Sequence, residues 1–357
     1  MATRRRVLAG LAASALAPRL GWAEAGNPGY LSAARDGSGA YRLFGLSETG
    51  QAVFSVPLPG RGHAAAAHPR RAEAVAFARR PGTFALVLDC AEGRVAAELT
   101  APPGRHFYGH GAFSGDGSRL YTSESDYDAA RGIIGVWEAG RGYRRIGEFP
   151  SGGIGPHEIL RLPGAETLVV ANGGIETHPA SGRTKLNLPT MRPNLAYLSP
   201  EGRELDRIEL ATVLHMNSIR HLSARADGLV AAALQWQGDL GRAPPLLMLH
   251  RRGAAPRLAE APGPAQVAMQ GYAGSIAFSG DGTRVAITSP RGGQAHVFDA
   301  ETGRFLSAWA APDICGVAAT ATGLLATTGT GDVIALDANG ARTVHPVAWD
   351  NHLVALA

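Results

Sequence analysis

The 357-residue chain has few cysteines, few aromatic side chains and little excess charge, and it lacks several motifs of known chemistry. Its two cysteines, Cys90 and Cys315, form no Cys-x-x-Cys-His sequence, which excludes covalent attachment of a c-type haem. No Gly-x-Ser-x-Gly motif is present and neither cysteine has an adjacent histidine, which argues against nucleophilic catalysis by serine or cysteine. Because the glycine-rich pieces lack the strand-to-helix context of phosphate loops, we also expect no nucleotide cofactor.

The basic balance of the chain comes mostly from its first residues. Residues 1–25 contain four of the 34 Lys and Arg residues and one of the 30 Asp and Glu residues, which leaves 30 basic and 29 acidic side chains. No basic stripe remains that would predict binding to nucleic acid or to an anionic membrane surface.

Residues 1–25 resemble an export signal. Arg4, Arg5 and Arg6 precede an apolar run from Val7 to Ala17, and Ala23-Glu24-Ala25 is a small-x-small cleavage site. The run is shorter than the roughly 20 apolar residues that span a bilayer, which disfavours an uncleaved membrane anchor. We therefore predict a twin-arginine signal peptide over 1–25, a mature domain over 26–357, a periplasmic location and no membrane association after cleavage.

The mature chain has the pattern of short strands joined by turns. Apolar segments of four or five residues are bounded by Gly, Asp, Pro or Asn, among 47 glycines and 23 prolines in the whole chain. Two stretches, 111–121 and 275–285, repeat an apolar strand, a Gly-Asp-Gly hairpin and a second strand. This pattern predicts an all-β fold built from repeated hairpins.

Glycine- or proline-flanked histidines mark equivalent points of that repeat. His63, His110 and His157 follow one another at intervals of 47 residues, the period of a propeller blade. Further units begin near Ser218, Ser275 and Gly316, and a lone strand at 349–356 is expected to complete the three strands at 30–56. We therefore predict a single seven-bladed β-propeller, closed by pairing of the C-terminal strand with the N-terminal blade. Cys90 and Cys315 fall on different, non-neighbouring blades, which argues against a disulfide between them.

In such a propeller the histidines before each inner strand meet at one end of the axis. Neutral imidazole is a common ligand of iron, copper and zinc, and convergent imidazoles from different blades can hold one ion. The predicted metal ligands are His63, His110, His157, His352 and His215, and Glu158 is the candidate general base if the site is catalytic. The alternative is that these histidines pack the axial channel, with hydrogen bonds to neighbouring carbonyls and water.

A second group of residues could contact a bound substrate or chelate at the same end. The link 172–194 is long for a compact domain, and such links are often functional. The candidate residues there and nearby are His106, His178, Arg183, Lys185 and Arg220. Arg183 and Lys185 suit an anionic group, although solvated loop charges explain them equally.

Several longer motifs resemble the domain-of-unknown-function 1513 family of exported bacterial propellers. They are FARRPG (77–82), GRHFYGHG (104–111), GIGPHE (153–158), VANGGIETHP (170–179), KLNL (185–188), SIRHL (218–222) and TSPRGG (288–293). The resemblance implies a propeller similar to lactonase and quinoprotein amine dehydrogenase propellers. It also implies genes encoded beside imelysin-like, iron-regulated periplasmic proteins, hence possible partners in iron or copper handling. The chain departs from the family pattern at Met216-Asn217, directly after His215.

Three functions follow from these observations. The first is binding of a transition metal or metal complex through the axial histidines, with iron, copper or zinc as the ion. The second is a metal-dependent hydrolase or oxidoreductase at the same site, with Glu158 acting on a metal-bound water. The third is a scaffold that docks a partner protein in a periplasmic iron-uptake system.

Overall fold

The computed structural model describes residues 20–80, 82–337 and 339–356. Seven antiparallel sheets follow one another along these residues. The first strand of each sheet packs against the first strand of the next sheet, and the seventh sheet contacts the first, so that the sheets close into a ring. The protein is a seven-bladed β-propeller, which confirms the prediction from the sequence.

The blades are numbered in chain order, and in blades 2 to 7 the first strand of the blade lies nearest the axis. Blade 1 contains β1 (Tyr30–Asp36), β2 (Tyr41–Leu46) and β3 (Ala52–Leu58). Blade 2 contains β4 (Gly62–Ala67), β5 (Glu73–Ala78), β6 (Ala85–Asp89) and β7 (Arg94–Leu99). Blade 3 contains β8 (Arg105–Phe113), β9 (Arg119–Asp126), β10 (Arg131–Glu138) and β11 (Arg144–Pro150). Blade 4 contains β12 (Pro156–Arg161), β13 (Leu168–Asn172), β14 (Asn194–Leu198) and β15 (Glu204–Glu209). Blade 5 contains β16 (Asn217–Ala224), β17 (Val230–Trp236), β18 (Leu247–His250) and β19 (Arg257–Ala259).

The remaining blades follow the same plan. Blade 6 contains β20 (Ser275–Phe278), β21 (Arg284–Ser289), β22 (Gln294–Asp299) and β23 (Phe305–Ala310). Blade 7 contains β24 (Ile314–Ala319), β25 (Leu324–Thr328), β26 (Asp332–Ala335) and β27 (Arg342–Val344). Helical structure in the described residues is limited to α1 (Gly263–Ala268) and to short 3-10 turns in the links, at Ala139–Arg141, Pro179–Ser181, Leu188–Thr190, Thr212–Leu214 and Leu240–Arg242.

The ring is closed by two short strands, β28 (Val347–Trp349) and β29 (Val354–Ala355), which lie on the axial side of blade 1. Both pair antiparallel with β1, with Trp349 opposite Ala34 and Ala355 opposite Tyr30. The sequence predicts one strand here. The structure splits it at residues 350–353, where the buried polar residues Asp350, Asn351 and His352 precede Leu353.

The two predicted Gly-Asp-Gly hairpins join β8 to β9 and β20 to β21. In the first, Gly117 has φ of +74° and the Asp116 carboxylate accepts from the Ser118 amide at 2.9 Å. In the second, Gly282 has φ of +68° and Asp281 accepts from the Thr283 amide at 3.0 Å. Because glycine adopts positive φ at little cost, these residues specify the turns.

The predicted signal peptide lies largely outside the described residues, including the arginines at 4–6 and the apolar run. Of the part that is described, Trp22 donates its indole N–H to the His68 carbonyl at 2.9 Å, and Ala25 is buried. Cleavage at 23–25 stays a prediction. In the described residues, no helix has the length and hydropathy needed to cross a bilayer. Cys90 and Cys315 are buried free thiols.

One buried histidine of the blade core is expected to cost stability. His296 of β22 is fully buried between Phe298 and Phe305, and neither ring nitrogen has a hydrogen-bond partner in the part of the chain that the structure describes. Since an unsatisfied buried polar group costs about 1–3 kcal/mol, we expect His296→Leu to raise the free energy of unfolding by about that amount. Urea denaturation followed by circular dichroism measures the change.

His250 is the matched control for this substitution. It is also buried, but its nitrogens bond the Tyr197 hydroxyl at 2.7 Å and the Ala254 carbonyl at 2.9 Å. His250→Leu should therefore destabilise the fold. Equal losses of stability in both variants would contradict the assignment of His296 as an unsatisfied group.

Candidate metal centre

Five histidines converge on the axis of the ring. His63, His110, His157 and His221 lie on the inner strands β4, β8, β12 and β16, and His352 lies between β28 and β29. On all four strands, pairing with the second strand of the blade shifts register at or next to the histidine. A β-bulge redirects a side chain, and here the irregularities accompany imidazoles that turn towards the axis.

The five rings form one contiguous group, which we call the axial cluster. Its neighbouring ring centroids are 4.6–5.7 Å apart. Two sets of three offer nitrogens that all lie within 4.8 Å of one another: His63, His110 and His157, and His110, His221 and His352. His110 belongs to both sets.

One pair of nitrogens in the axial cluster has the separation expected at a metal ion. The Nε2 atoms of His110 and His63 are 3.3 Å apart. Two nitrogens bound tetrahedrally at 2.0–2.1 Å would lie about 3.3–3.4 Å apart. In addition, Nδ1 of His157 and Nε2 of His352 are buried and have no hydrogen-bond partner in the described residues. Channel packing would ordinarily satisfy such atoms, so they are free to bind an ion.

Burial keeps the axial cluster uncharged. The pKa values of His110, His157, His221 and His352 are held well below the ordinary histidine value, first by burial and then by neighbouring histidines or arginines. The pKa of His63 is also lowered by burial, although the nearby Asp350 carboxylate opposes the shift. Each ring therefore has an unprotonated nitrogen at neutral pH, the form that binds metals.

Glu158 lies on the outer side of the cluster. Its Oε2 is 3.1 Å from Nδ1 of His221 and 3.8 Å from Nδ1 of His110, and it accepts from the Leu222 amide at 3.2 Å. Burial raises the pKa of Glu158 to about 8. A carboxyl group on the far nitrogen of a ligand histidine orients the ring, which is the geometry seen here.

Asp350 occupies the corresponding place beside His63. The carboxylate is buried and bonds Arg79 Nη1 at 2.8 Å and Arg61 Nε at 2.5 Å. Although burial opposes it, the proximity of His63 and the charges of Arg79 and Arg61 hold the pKa of Asp350 well below its usual range. Asp350 is thus a fixed negative charge next to the axial cluster.

The structure brings four of the predicted metal ligands together: His63, His110, His157 and His352. His215 stands outside the axial cluster. It follows the turn Thr212–Leu214, its Nδ1 lies 2.9 Å from the Thr212 carbonyl, and it makes none of the ring contacts described above. The blade 5 position expected for His215 is taken by His221.

The predicted substrate residues lie in two places. Arg183, Lys185 and Arg220 line a cavity of about 230 Å³ above the axial cluster, which we call the mouth pocket; His63, His157 and His221 form part of its floor. His106 and His178 instead lie beside Tyr127 of blade 3, at 5.7 and 5.1 Å between ring centroids. His178 is held by Asp128 at 3.2 Å.

Sequence reasoning missed other residues of the same site. Arg79, Arg80 and Arg291 line the mouth pocket, together with Tyr108 and Tyr272. The family motif FARRPG contains Arg79 and Arg80, and TSPRGG contains Arg291, which was the available signal. On the other face of the disc, Glu158, His221 and His352 border a cleft of about 720 Å³. The cluster is therefore reached from both faces.

Comparisons with known proteins agree with the fold. One solved structure that matches is Kuenenia stuttgartiensis hydrazine synthase, with a TM-score of 0.57 and 13% identity over 86% of this chain and 89% of that one. At this identity the likeness shows the fold alone. No curated protein matches the chain. The family model described as "Protein of unknown function (DUF1513)" matches residues 56–356, most of the propeller, and the chain therefore belongs to the DUF1513 family.

Proposed function

We propose that this protein is a periplasmic metal-binding propeller that holds one transition-metal ion, iron, copper or zinc, in the axial cluster. The observation that carries the proposal is the convergence of five neutral imidazoles, with His110 and His63 nitrogens 3.3 Å apart. An all-nitrogen donor set of neutral imidazoles suits these borderline metals and disfavours magnesium or calcium. A role in iron or copper handling beside imelysin-like partners is the context that the family resemblance supplies.

The two ligand sets predict the stoichiometry. Because His110 is common to both sets, a second ion could bind only if His110 bridged the two ions or served as a ligand of just one of them. We therefore expect about one ion per chain, held by three or four imidazoles. Glu158 bonds His221 on the outer side of the cluster, and the Asp350 carboxylate lies close to His63.

Binding is better supported than catalysis. The Oε2 atom of Glu158 contacts His221 and accepts from the Leu222 amide, so this oxygen supports a ligand ring. The hydrolase or oxidoreductase hypothesis requires a group free to move a proton at a bound water. No contact in the described residues specifically favours the docking-scaffold hypothesis over metal binding.

Elemental analysis of untagged protein tests the proposal. Wild-type protein, loaded anaerobically with ferrous, cuprous or zinc ions and desalted, should retain about one equivalent of one metal. The variant His63→Ala/His110→Ala/His157→Ala should retain none. His110→Gln should also lose the ion, because both ligand sets need His110, and it disturbs packing less than the triple change.

A control variant removes as many histidines elsewhere. His178, His215 and His345 all lie outside the axial cluster, and His345 bonds the Gly50 carbonyl. Their combined replacement by alanine should leave metal content unchanged. Circular dichroism establishes that each variant is folded. Wild-type protein without metal after all three loadings, or folded cluster variants that retain it, would overturn the proposal.

A further inference from the structure

The mouth pocket is lined by an unusual concentration of positive charge. Six cationic side chains face it: Arg79, Arg80, Arg183, Lys185, Arg220 and Arg291. None of the residues that line this cavity in the described structure is an Asp or a Glu. The cations come from blades 2, 4, 5 and 6, so the ring closure of the fold is what gathers them at one place.

Five of these six cations have no anionic partner among the described residues. Arg79 bonds Asp350 at 2.8 Å, and that carboxylate is shared with Arg61. Within the described part of the chain, Arg80, Arg183, Lys185, Arg220 and Arg291 make no ion pair with a carboxylate. The Nε atom of Arg220 is buried without any hydrogen-bond partner. A buried cationic donor left in this state is costly unless something else satisfies it.

Neutral contacts hold the cations in place. Arg80 donates to the Thr177 hydroxyl at 2.8 Å, and Lys185 donates to the Gln237 side-chain oxygen at 2.5 Å. The guanidinium of Arg291 lies 4.3 Å from the centroid of the Tyr272 ring. Burial, followed by the charges of Arg220 and Arg291, lowers the pKa of Lys185. These contacts orient the charges but leave them mutually repulsive.

The volume of the mouth pocket and the positions of its cations indicate what kind of ligand it binds. At about 230 Å³ the cavity is smaller than the 300–1,000 Å³ typical of pockets for drug-sized molecules. Guanidinium groups bind carboxylates through paired hydrogen bonds, and here they stand on separate blades around the rim. This distribution suits several separate carboxylates on one small molecule better than a single compact phosphate.

We propose that the mouth pocket binds a small di- or tricarboxylate anion directly above the axial cluster. The floor of the pocket contains His63, His157 and His221, so a carboxylate of the bound anion can lie next to the ion held there. The placement of a carboxylate next to an ion rests on the proposed metal site, and with that ion the ligand would be a metal–carboxylate chelate. Anion binding itself depends only on the cations of the pocket.

Calorimetric titration with citrate tests the proposal on metal-free wild-type protein at low ionic strength. Citrate should bind at least about tenfold more tightly than acetate or inorganic phosphate, since only citrate engages several guanidinium groups at once. Arg80→Gln/Arg291→Gln should weaken citrate binding about tenfold or more. The control Arg144→Gln/Arg251→Gln removes the same charge from exposed positions outside the pocket and should change the affinity less than about twofold.

The His110→Gln variant separates this inference from the metal proposal. His110 is not part of the mouth pocket, so this variant should bind citrate as the metal-free wild type does. In wild type loaded with metal, citrate should bind more tightly still. Absence of citrate binding to the metal-free protein, tighter binding of phosphate, or an unchanged affinity in Arg80→Gln/Arg291→Gln would overturn the proposal, whatever the elemental analysis shows.

Discussion

Acidification from pH 7 to pH 4 should destabilise the metal-free protein, with a loss of about 6 kcal/mol from His106 and His296 alone. The reason is the set of buried histidines that stay neutral in the fold. Burial lowers the pKa of His106 and of His296 to about 4, and lowers the pKa of all five histidines of the axial cluster. Between pH 6.5 and these lower values, the unfolded chain binds protons that the folded chain does not, so stability falls as the pH falls.

The magnitude follows from the two histidines whose shifts are defined. A fall from 6.5 to about 4 corresponds to about 3 kcal/mol for each of His106 and His296, and the axial cluster adds to this. Glu158 acts in the opposite direction. Its pKa is raised to about 8, so it binds a proton in the fold that the unfolded chain has released above pH 4.5. Between pH 7 and pH 4.5 this carboxyl group offsets about 3 kcal/mol, which is about half of the contribution of His106 and His296 and leaves the contribution of the axial cluster uncompensated.

Urea denaturation at intervals between pH 4 and pH 7.5 measures this dependence. The double variant His106→Phe/His296→Leu provides the control, because it removes two of the titrating groups from outside the axial cluster. Over the same range, the free energy of unfolding of this variant should fall by about 6 kcal/mol less than that of the wild type. A wild-type unfolding free energy that stays constant from pH 7 to pH 4.5 would contradict the prediction.

Replacement of Arg145 by alanine is expected to cost about 3–5 kcal/mol of stability, because it strands a buried charge. The Glu124 carboxylate is completely buried in blade 3 and accepts from Arg145 at 2.7 and 2.9 Å. The Thr122 hydroxyl adds a third bond at 2.7 Å. Without the guanidinium, no other cation in the described residues pairs with this carboxylate.

The neighbouring residue gives a matched control. Arg144 bonds Glu138 at 3.1 Å, but its side chain is 64% exposed. Surface ion pairs contribute about 0–1 kcal/mol, so Arg144→Ala should be nearly neutral. Adding Glu124→Gln to Arg145→Ala removes the stranded charge and should recover part of the loss. Thermal and urea denaturation compare the variants, and similar losses for Arg144→Ala and Arg145→Ala would refute the assignment.

The blade plan was open to prediction because it depends on local signals. Asp116-Gly117 and Asp281-Gly282 encode hairpins within a few residues, and the spacing of 47 residues between His63, His110 and His157 reports the blade period directly. Closure by a C-terminal strand follows from counting strands. The break of that strand at residues 350–353 has no such local signal, since the polar residues there pack against other blades.

The site was predictable only in part, for a physical reason. The search for glycine-flanked histidines finds His63 and His110 but passes over His221, which follows Arg220 inside a strand. Its ring reaches the axis because of the register shift between Ile219 and His221, a detail of pairing with β17. The mouth pocket was even harder to predict from the sequence. Arg80 and Arg291 lie more than two hundred residues apart and meet only through closure of the ring.

The placement of His352 between β28 and β29 imposes an order on assembly of the site. Both strands pair with β1, at the opposite end of the chain, so His352 reaches the axis only after the first and last parts of the sequence have joined. A partly folded intermediate that already contains blades 2 to 5 can present His63, His110, His157 and His221, but not the fifth imidazole. If the proposed ion is bound with His352 as a ligand, its presence would report that the ring is closed, and it would oppose separation of β28 and β29 from β1.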